Sequence, residues 1–199
     1  MIKLYFAPLT RSVRILWLLE ELGLPYELER VEFSPPSKNF FAQKTPLGKL
    51  PTLEDGDVVM CESGAIVEYL LERYGEGRLA PPIGCSARAA YLQWLHFAES
   101  TAFPPVGIVV WLERYRDEQG QTLEDARSRA ASSFAFLEEE LGEKPYLVGD
   151  EFTAADVMMG FTLVAAKFVG VLDDRFPRLN AYLGRLMERP AFQAAASTE

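Results

Sequence analysis

The segment Leu50-Pro51-Thr52-Leu53-Glu54-Asp55-Gly56-Asp57-Val58-Val59-Met60-Cys61-Glu62-Ser63-Gly64-Ala65-Ile66 constrains this chain more than any other. Leu50-Pro51 leads into a short strand over 51–54, Asp55-Gly56 is a hairpin turn signal, and 58–60 returns antiparallel before a helix opens at Glu62-Ser63. Proline at the start of a strand cannot donate to the ladder, which leaves the backbone of Leu50 available to pair with an extended ligand strand. A carboxylate and a hydroxyl beside the unpaired amides of a helix start suit a group that carries both an ammonium and a carboxylate, such as an α-amino-acid end. An ordinary hairpin followed by a capped helix would use the same residues, so the elements around them must decide.

Around this hairpin the pattern predicts a strand over 2–7, a helix over 11–22, a strand over 26–32, a turn at Ser34-Pro35-Pro36-Ser37, a short helix over 38–43 and a helix over 64–74. That order, βαβ then αββα, is that of a thioredoxin-like half, with its first two strands parallel by the right-handed crossover rule. Everything after the Gly- and Pro-rich stretch that follows reads as helical: 86–101, a break at Phe103-Pro104-Pro105, resumption to 116, then 123–141. Thr153-Ala154-Ala155-Asp156 is a capping box with Phe152 and Val157 as its hydrophobic staple, opening a helix to about 168. Pro177 starts a last helix, which Arg189-Pro190 stops. The expected domains are therefore 1–77, a linker over 78–85, and an all-helical domain over 86–199.

At 199 residues the chain can bury a core without staples. A net charge of −9 argues against nucleic acid or an anionic membrane as partner. Cys61 and Cys85 form neither a disulfide framework nor a zinc site, and no metal is expected. The N-terminus lacks a signal-like apolar core, and the apolar run Val157–Ala166 is far shorter than the roughly 18 residues needed to span a bilayer. A cytoplasmic location is the expectation. His96 lies at helical spacing among Trp94, Leu95 and Phe97 with no ligand cluster around it, and Glu20-Glu21 and Glu138-Glu139-Glu140 read as solvated helix faces.

The G-K-L-P-T-L segment at Gly48–Leu53 and the Glu62-Ser63 pair resemble those of the glutathione S-transferases, as do Arg14–Glu27 and the capping box of the helical half; the likeness is to bacterial and fungal members. The resemblance implies a cis peptide before Pro51, main-chain pairing of glutathione with Leu50, capture of its γ-glutamyl end by Glu62 and Ser63, and a basic or polar contact to its glycyl carboxylate from Lys49, with Lys44 and Gln43 as further candidates. Arg11 is a candidate for a ligand carboxylate, since a cation at a helix N-terminus is unfavourable without a nearby anion. A thiol of pKa about 8.5 is mostly protonated at neutral pH, so a hydroxyl donor or a helix N-terminus must favour the anion. Leu9-Thr10-Arg11-Ser12 offers both. By resemblance Thr10 stands at the usual activating position and Ser12 is a second hydroxyl donor, so Thr10 or Ser12 activates the thiol; Tyr5 reads better as a packed strand residue.

The resemblance further implies transferase activity toward a small hydrophobic electrophile, as in detoxification, and a homodimer. The acceptor pocket would draw on apolar residues between the halves: Phe41, Phe103 and Trp111, with Trp94, Val106 and Tyr115 also available. A glutathione-dependent peroxidase or disulfide reductase on the same scaffold is a second reading, and a non-catalytic adaptor a third.

Overall fold

The computed structural model describes residues 1–31, 48–116 and 120–198. The expected turn at 34–37 and helix at 38–43, with Phe41, Gln43 and Lys44, lie outside the described residues, as does the Tyr115 side chain. By contacts the chain divides into two units, one formed by Met1–Arg78 with the segment from Arg189, the other by Leu79–Glu188.

The first unit holds a four-stranded sheet in the order β2-β1-β3-β4, built from β1 (Ile2–Phe6), β2 (Tyr26–Arg30), β3 (Thr52–Asp55) and β4 (Val58–Cys61). β1 and β2 are parallel, as the crossover rule requires, and β3 is antiparallel to both of its neighbours. Ile2, Leu4 and Phe6 alternate into the core, and Leu4 faces Leu53 across the ladder. Helix α1 (Ser12–Leu22) follows β1, and α2 (Ser63–Tyr74) follows β4. α1 is buried nearly all round, since Ile15, Leu16, Trp17, Leu18 and Leu19 have no solvent exposure. A helix apolar on every side needs cover beyond one sheet face.

That cover includes a helix missing from the sequence reading. The helix begun at Pro177 ends at Met187, before Arg189-Pro190 as expected, but Pro190 then occupies the first turn of a further helix, α8 (Pro190–Ala196), where its absent N–H costs nothing. α8 places Phe192 edge-on to Trp17, with ring centroids 4.9 Å apart. Glu21, expected on a solvated face, accepts from Trp17 Nε1 at 2.9 Å and from Arg189 Nε and Nη2 at 2.6 and 2.7 Å. Glu20 likewise accepts from the Tyr26 hydroxyl. Asp55, at the hairpin turn, takes hydrogen bonds from Tyr69 (2.9 Å) and Tyr74 (2.5 Å); these bonds and nearby Arg73 hold its carboxyl below the usual range against the opposing pull of burial.

The second unit is helical: α3 (Ala87–Phe97), α4 (Phe103–Trp111), α5 (Gln121–Leu141), α6 (Ala154–Phe168) and α7 (Pro177–Met187). The expected break at Phe103-Pro104-Pro105 is instead a continuous passage through a π-helical turn, Ala98–Ala102, into α4. Pro104 and Pro105 have no N–H for the carbonyls of Ser100 and Thr101, and widening the turn accommodates that loss without ending the helix. The Thr162 hydroxyl donates to the Ala98 carbonyl at 3.3 Å in this stretch. α6 is buried from Ala154 through Leu163. Its start is the expected capping box: Asp156 accepts from Thr153 N (2.7 Å), Thr153 Oγ1 (3.0 Å), Leu147 N (3.0 Å) and Tyr182 Oη (2.6 Å). Burial pushes the Asp156 carboxyl up, and those four donors oppose it. Ala154 N is taken by the Leu79 carbonyl at 2.8 Å. Glu138, also expected on a solvated face, reaches from α5 to the first turn of α7 and accepts from Arg178 N and Leu179 N at 2.9 and 2.8 Å.

Candidate functional site

Tyr5, Thr52 and Cys61 form one row across β1, β3 and β4. Because β3 runs against both neighbours, the chain leaving β1, the chain entering β3 and the chain leaving β4 all lie beyond this row, at the same end of the sheet. The turn Ala7–Arg11, the Leu50–Pro51 peptide and the Glu62–Ser63 pair are therefore brought together by topology, though they are far apart in sequence. Arg14 fastens two of them, since its Nη1 donates to Ser63 Oγ at 3.0 Å, joining the starts of α1 and α2.

In the turn after β1, Leu9 adopts φ 60° and stands 70% exposed, and α1 begins at Ser12 with Arg11 in the cap position. Thr10 Oγ1 accepts from Ser12 N at 3.3 Å, donates to the Ala7 carbonyl at 2.8 Å and lies 2.6 Å from Ser12 Oγ. Ser12 is fully buried, with its hydroxyl accepting from Ala7 N at 3.2 Å and bonded to Ala7 O at 3.1 Å. Thr10 remains half-buried. Of the two residues, only Thr10 keeps solvent exposure. Tyr5 donates to Glu54 at 2.7 Å; that bond, with burial, pushes its phenol up to about 12. Its proton is committed to the strand face.

Leu50–Pro51 is cis. Pro51 is buried and Leu50 half-buried, and no main-chain hydrogen bond of Leu50 occurs among the described residues. Lys49 is exposed, and its carbonyl accepts from Thr52 Oγ1 at 3.2 Å. Glu62 is exposed at φ 69°, ψ 107°, with no side-chain cap to the helix that follows. Both non-glycine residues with positive φ in this region, Leu9 and Glu62, lie at this end of the sheet, where such conformations mark functional turns in many proteins. Ser63 is 3% exposed. The amides of the first turn of α2 stand beside it with their partial positive charge. Cys61, half-buried, has its sulfur 3.6 Å from Thr52 Oγ1.

Arg14 has no solvent exposure and was not singled out by the sequence reading. The available signal was a lone cation leading the apolar run Ile15–Leu19, where the helix is buried on every side. Among the acceptor-pocket candidates, Phe41 is outside the described residues. Phe103 is half-buried and stacks on Phe161 with centroids 5.8 Å apart, while Trp111 is 41% exposed two turns along α4. Gly107 makes room for the Phe103 ring, since a Cβ there would come within 3.1 Å of Phe103 Cε1. Trp94 and Val106 are buried core residues. No cluster of metal-ligating side chains and no helix long and apolar enough to cross a membrane occurs among the described residues.

Comparison with known proteins agrees with this geometry. Residues 1–72 match the family model for the glutathione S-transferase N-terminal domain, and residues 120–185 that for the C-terminal domain. The chain is similar to glutathione S-transferase GstB of Escherichia coli, with 34% identity over 92% of this chain and 90% of that protein. Among solved structures it is similar to a glutathione transferase of Methylococcus capsulatus, with a TM-score of 0.86, 30% identity, and coverage of 98% and 97% of the two chains. It is also similar to a family member from Pseudomonas fluorescens solved with two glutathione molecules bound, with a TM-score of 0.85, 28% identity, and coverage of 98% and 92%.

Proposed function

The chain belongs to the glutathione S-transferase family, and from that premise we propose that it binds glutathione at this end of the sheet and presents it as a thiolate to a small hydrophobic electrophile. The observation that carries the reading is the convergence at one end of the sheet of three separate elements, the Thr10 hydroxyl, the Leu50 main chain, which makes no hydrogen bond among the described residues, and the Glu62–Ser63 helix start. They suit the thiol, the cysteinyl backbone and the glutamyl end of the tripeptide.

The Leu50 backbone pairs with the cysteinyl residue as a short added strand, which fixes register and places the sulfur toward the turn after β1. Glu62 takes the glutamyl ammonium. The Ser63 hydroxyl and the first amides of α2 take the glutamyl carboxylate. Lys49 and Arg11 supply positive charge for the glycyl carboxylate. Thr10 is the thiol-facing donor: its proton turns from Ala7 O to the sulfur, while the N-terminus of α1 adds favourable partial charge. Ser12 sits behind it, held by Ala7 N–H, with its oxygen close enough to donate to Thr10 as that proton turns. The thiolate then forms a bond to the electrophilic carbon and the leaving group departs with the bonding pair; for a chlorinated nitroarene this is chloride. Phe103 and Trp111, with Phe41, are the proposed apolar lining for the acceptor, and a homodimer is the proposed assembly.

Calorimetric titration with glutathione tests the binding step, and turnover of glutathione with 1-chloro-2,4-dinitrobenzene tests the transfer. Binding with turnover is the expected result. Binding without turnover on that acceptor or a wider electrophile panel, but with consumption of a hydroperoxide or mixed disulfide, would replace transfer by reduction. No binding would leave an adaptor.

A further inference from the structure

Resting on this reading, we propose that Arg14 is a positioning residue for the ligand: from beneath Ser63 it orients that hydroxyl and supplies the charge that draws the glutamyl α-carboxylate to the start of α2. Arg14 is fully buried, and its guanidinium reaches Ser63 from a helix whose next five positions, Ile15–Leu19, are apolar. A guanidinium only donates, so Ser63 Oγ is the acceptor at 3.0 Å and its own proton is left for a different partner. Among the described residues Ser63 Oγ makes no other hydrogen bond, and it stands at the first position of α2, where the helix amides point outward. The hydroxyl proton and those amides thus favour an anion at the same place.

Charge matters here as well as direction. In a water-poor interior a unit charge acts over several ångströms with far less screening than at the surface. Arginine also keeps its charge at any working pH, and its planar donors hold one orientation. A carboxylate bonded to Ser63 is then one hydroxyl away from a permanent cation. The adjacent Glu62 carboxylate, which is exposed, serves the ammonium on the same carbon. The pairing gives the site a fixed polarity, negative at Glu62 and positive beneath Ser63, matched to one orientation of an α-amino-acid end.

The Arg14–Ser63 bond also ties α1 to α2, so the test must separate ligand recognition from packing. Wild type, Arg14→Met and Arg14→Lys are titrated with glutathione and with γ-aminobutyryl-cysteinyl-glycine, which lacks only the glutamyl α-carboxylate. Arg14→Met is expected to weaken glutathione about tenfold to a hundredfold while changing the analogue by less than about twofold. Arg14→Lys should fall between wild type and Arg14→Met for glutathione and leave the analogue unchanged. At saturating glutathione kcat should be retained. Equal weakening of both ligands, or unchanged glutathione affinity, overturns the proposal. If Arg14→Met does not fold, the lysine variant decides by the same criterion, a loss confined to glutathione. A wild-type protein that binds neither ligand would sink the functional reading itself and not this refinement of it.

Discussion

Helices α2 and α6 both begin with an acidic residue and a hydroxyl residue close together, yet the two starts are opposites. At α6, Asp156 is fully buried and accepts four hydrogen bonds, and the Leu79 carbonyl takes one of the first amides. These donors are met inside the protein. At α2, Glu62 is exposed at positive φ, no side chain caps the helix, and among the described residues Ser63 is engaged only from below by Arg14. A helix start whose donors are taken by its own protein is a structural joint; one whose donors point outward is open to an anion.

The contrast is open to direct attack. Asp156→Ala leaves buried donors from Thr153, Leu147 and Tyr182 unmet, which costs about 3–5 kcal/mol of stability; urea unfolding reads it, and a loss under about 1 kcal/mol would show that the α6 start is not the closed joint described. Glu62→Ala should do the reverse. Unfolding stability should stay within about 0.5 kcal/mol of wild type, while the glutathione Kd rises about tenfold or more, and a stability loss without a binding loss would reverse the assignment of the two helix starts.

The start of α1 is intermediate, because it buries Ser12 and leaves Thr10 half-open. Thr10→Ala is expected to lower kcat by about tenfold to a hundredfold with little change in glutathione affinity, and to raise the apparent pKa of the pH–rate profile. Ser12→Ala should shift that pKa in the same direction but less, with a stability cost of about 1–2 kcal/mol from the Ala7 amide it leaves unmet. Unchanged rates in both variants would remove this turn from the chemistry.

The smallest effect concerns Asp55. Its folded-state pKa is depressed by the Tyr74 and Tyr69 hydroxyls and Arg73, so its contribution is present above the ordinary carboxylate range and is lost as pH falls through the lower, folded value. Asp55→Asn should therefore flatten the acid limb of the stability curve while leaving glutathione binding at neutral pH unaltered. An acid limb identical to wild type would remove Asp55 as a contributor.

Local chemistry made much of this legible in the sequence. Asp55-Gly56 turns a hairpin, Thr153 and Asp156 cap a helix, and alternation in 2–6 marks a half-buried strand, all through interactions between near neighbours. Three acidic residues were misread, and the helix that one proline opens was missed, for the complementary reason. Glu20 and Glu21, Glu138 and Pro190 sit in patterns that read as solvated surface or helix stop, but their partners are Tyr26, Arg189, the first amides of α7 and the flank of α1. Glu20 with Tyr26, and the Trp17 bond of Glu21, are the cases in which a partner is close in sequence.

What the chain determined by itself was therefore its inventory of elements and the residue types at each turn, because propensity, capping and hydrophobic period act over a few residues. Only the tertiary structure decided which hydroxyl faces outward, which carboxylate is closed inside the protein, and that Arg14 lies beneath Ser63. The placement of the first turns of α1 and α2 follows from the row Tyr5–Thr52–Cys61, which draws three distant turns to one end of the sheet. Burial and charge at a site are sums over everything that packs around it, and strand register fixes that packing.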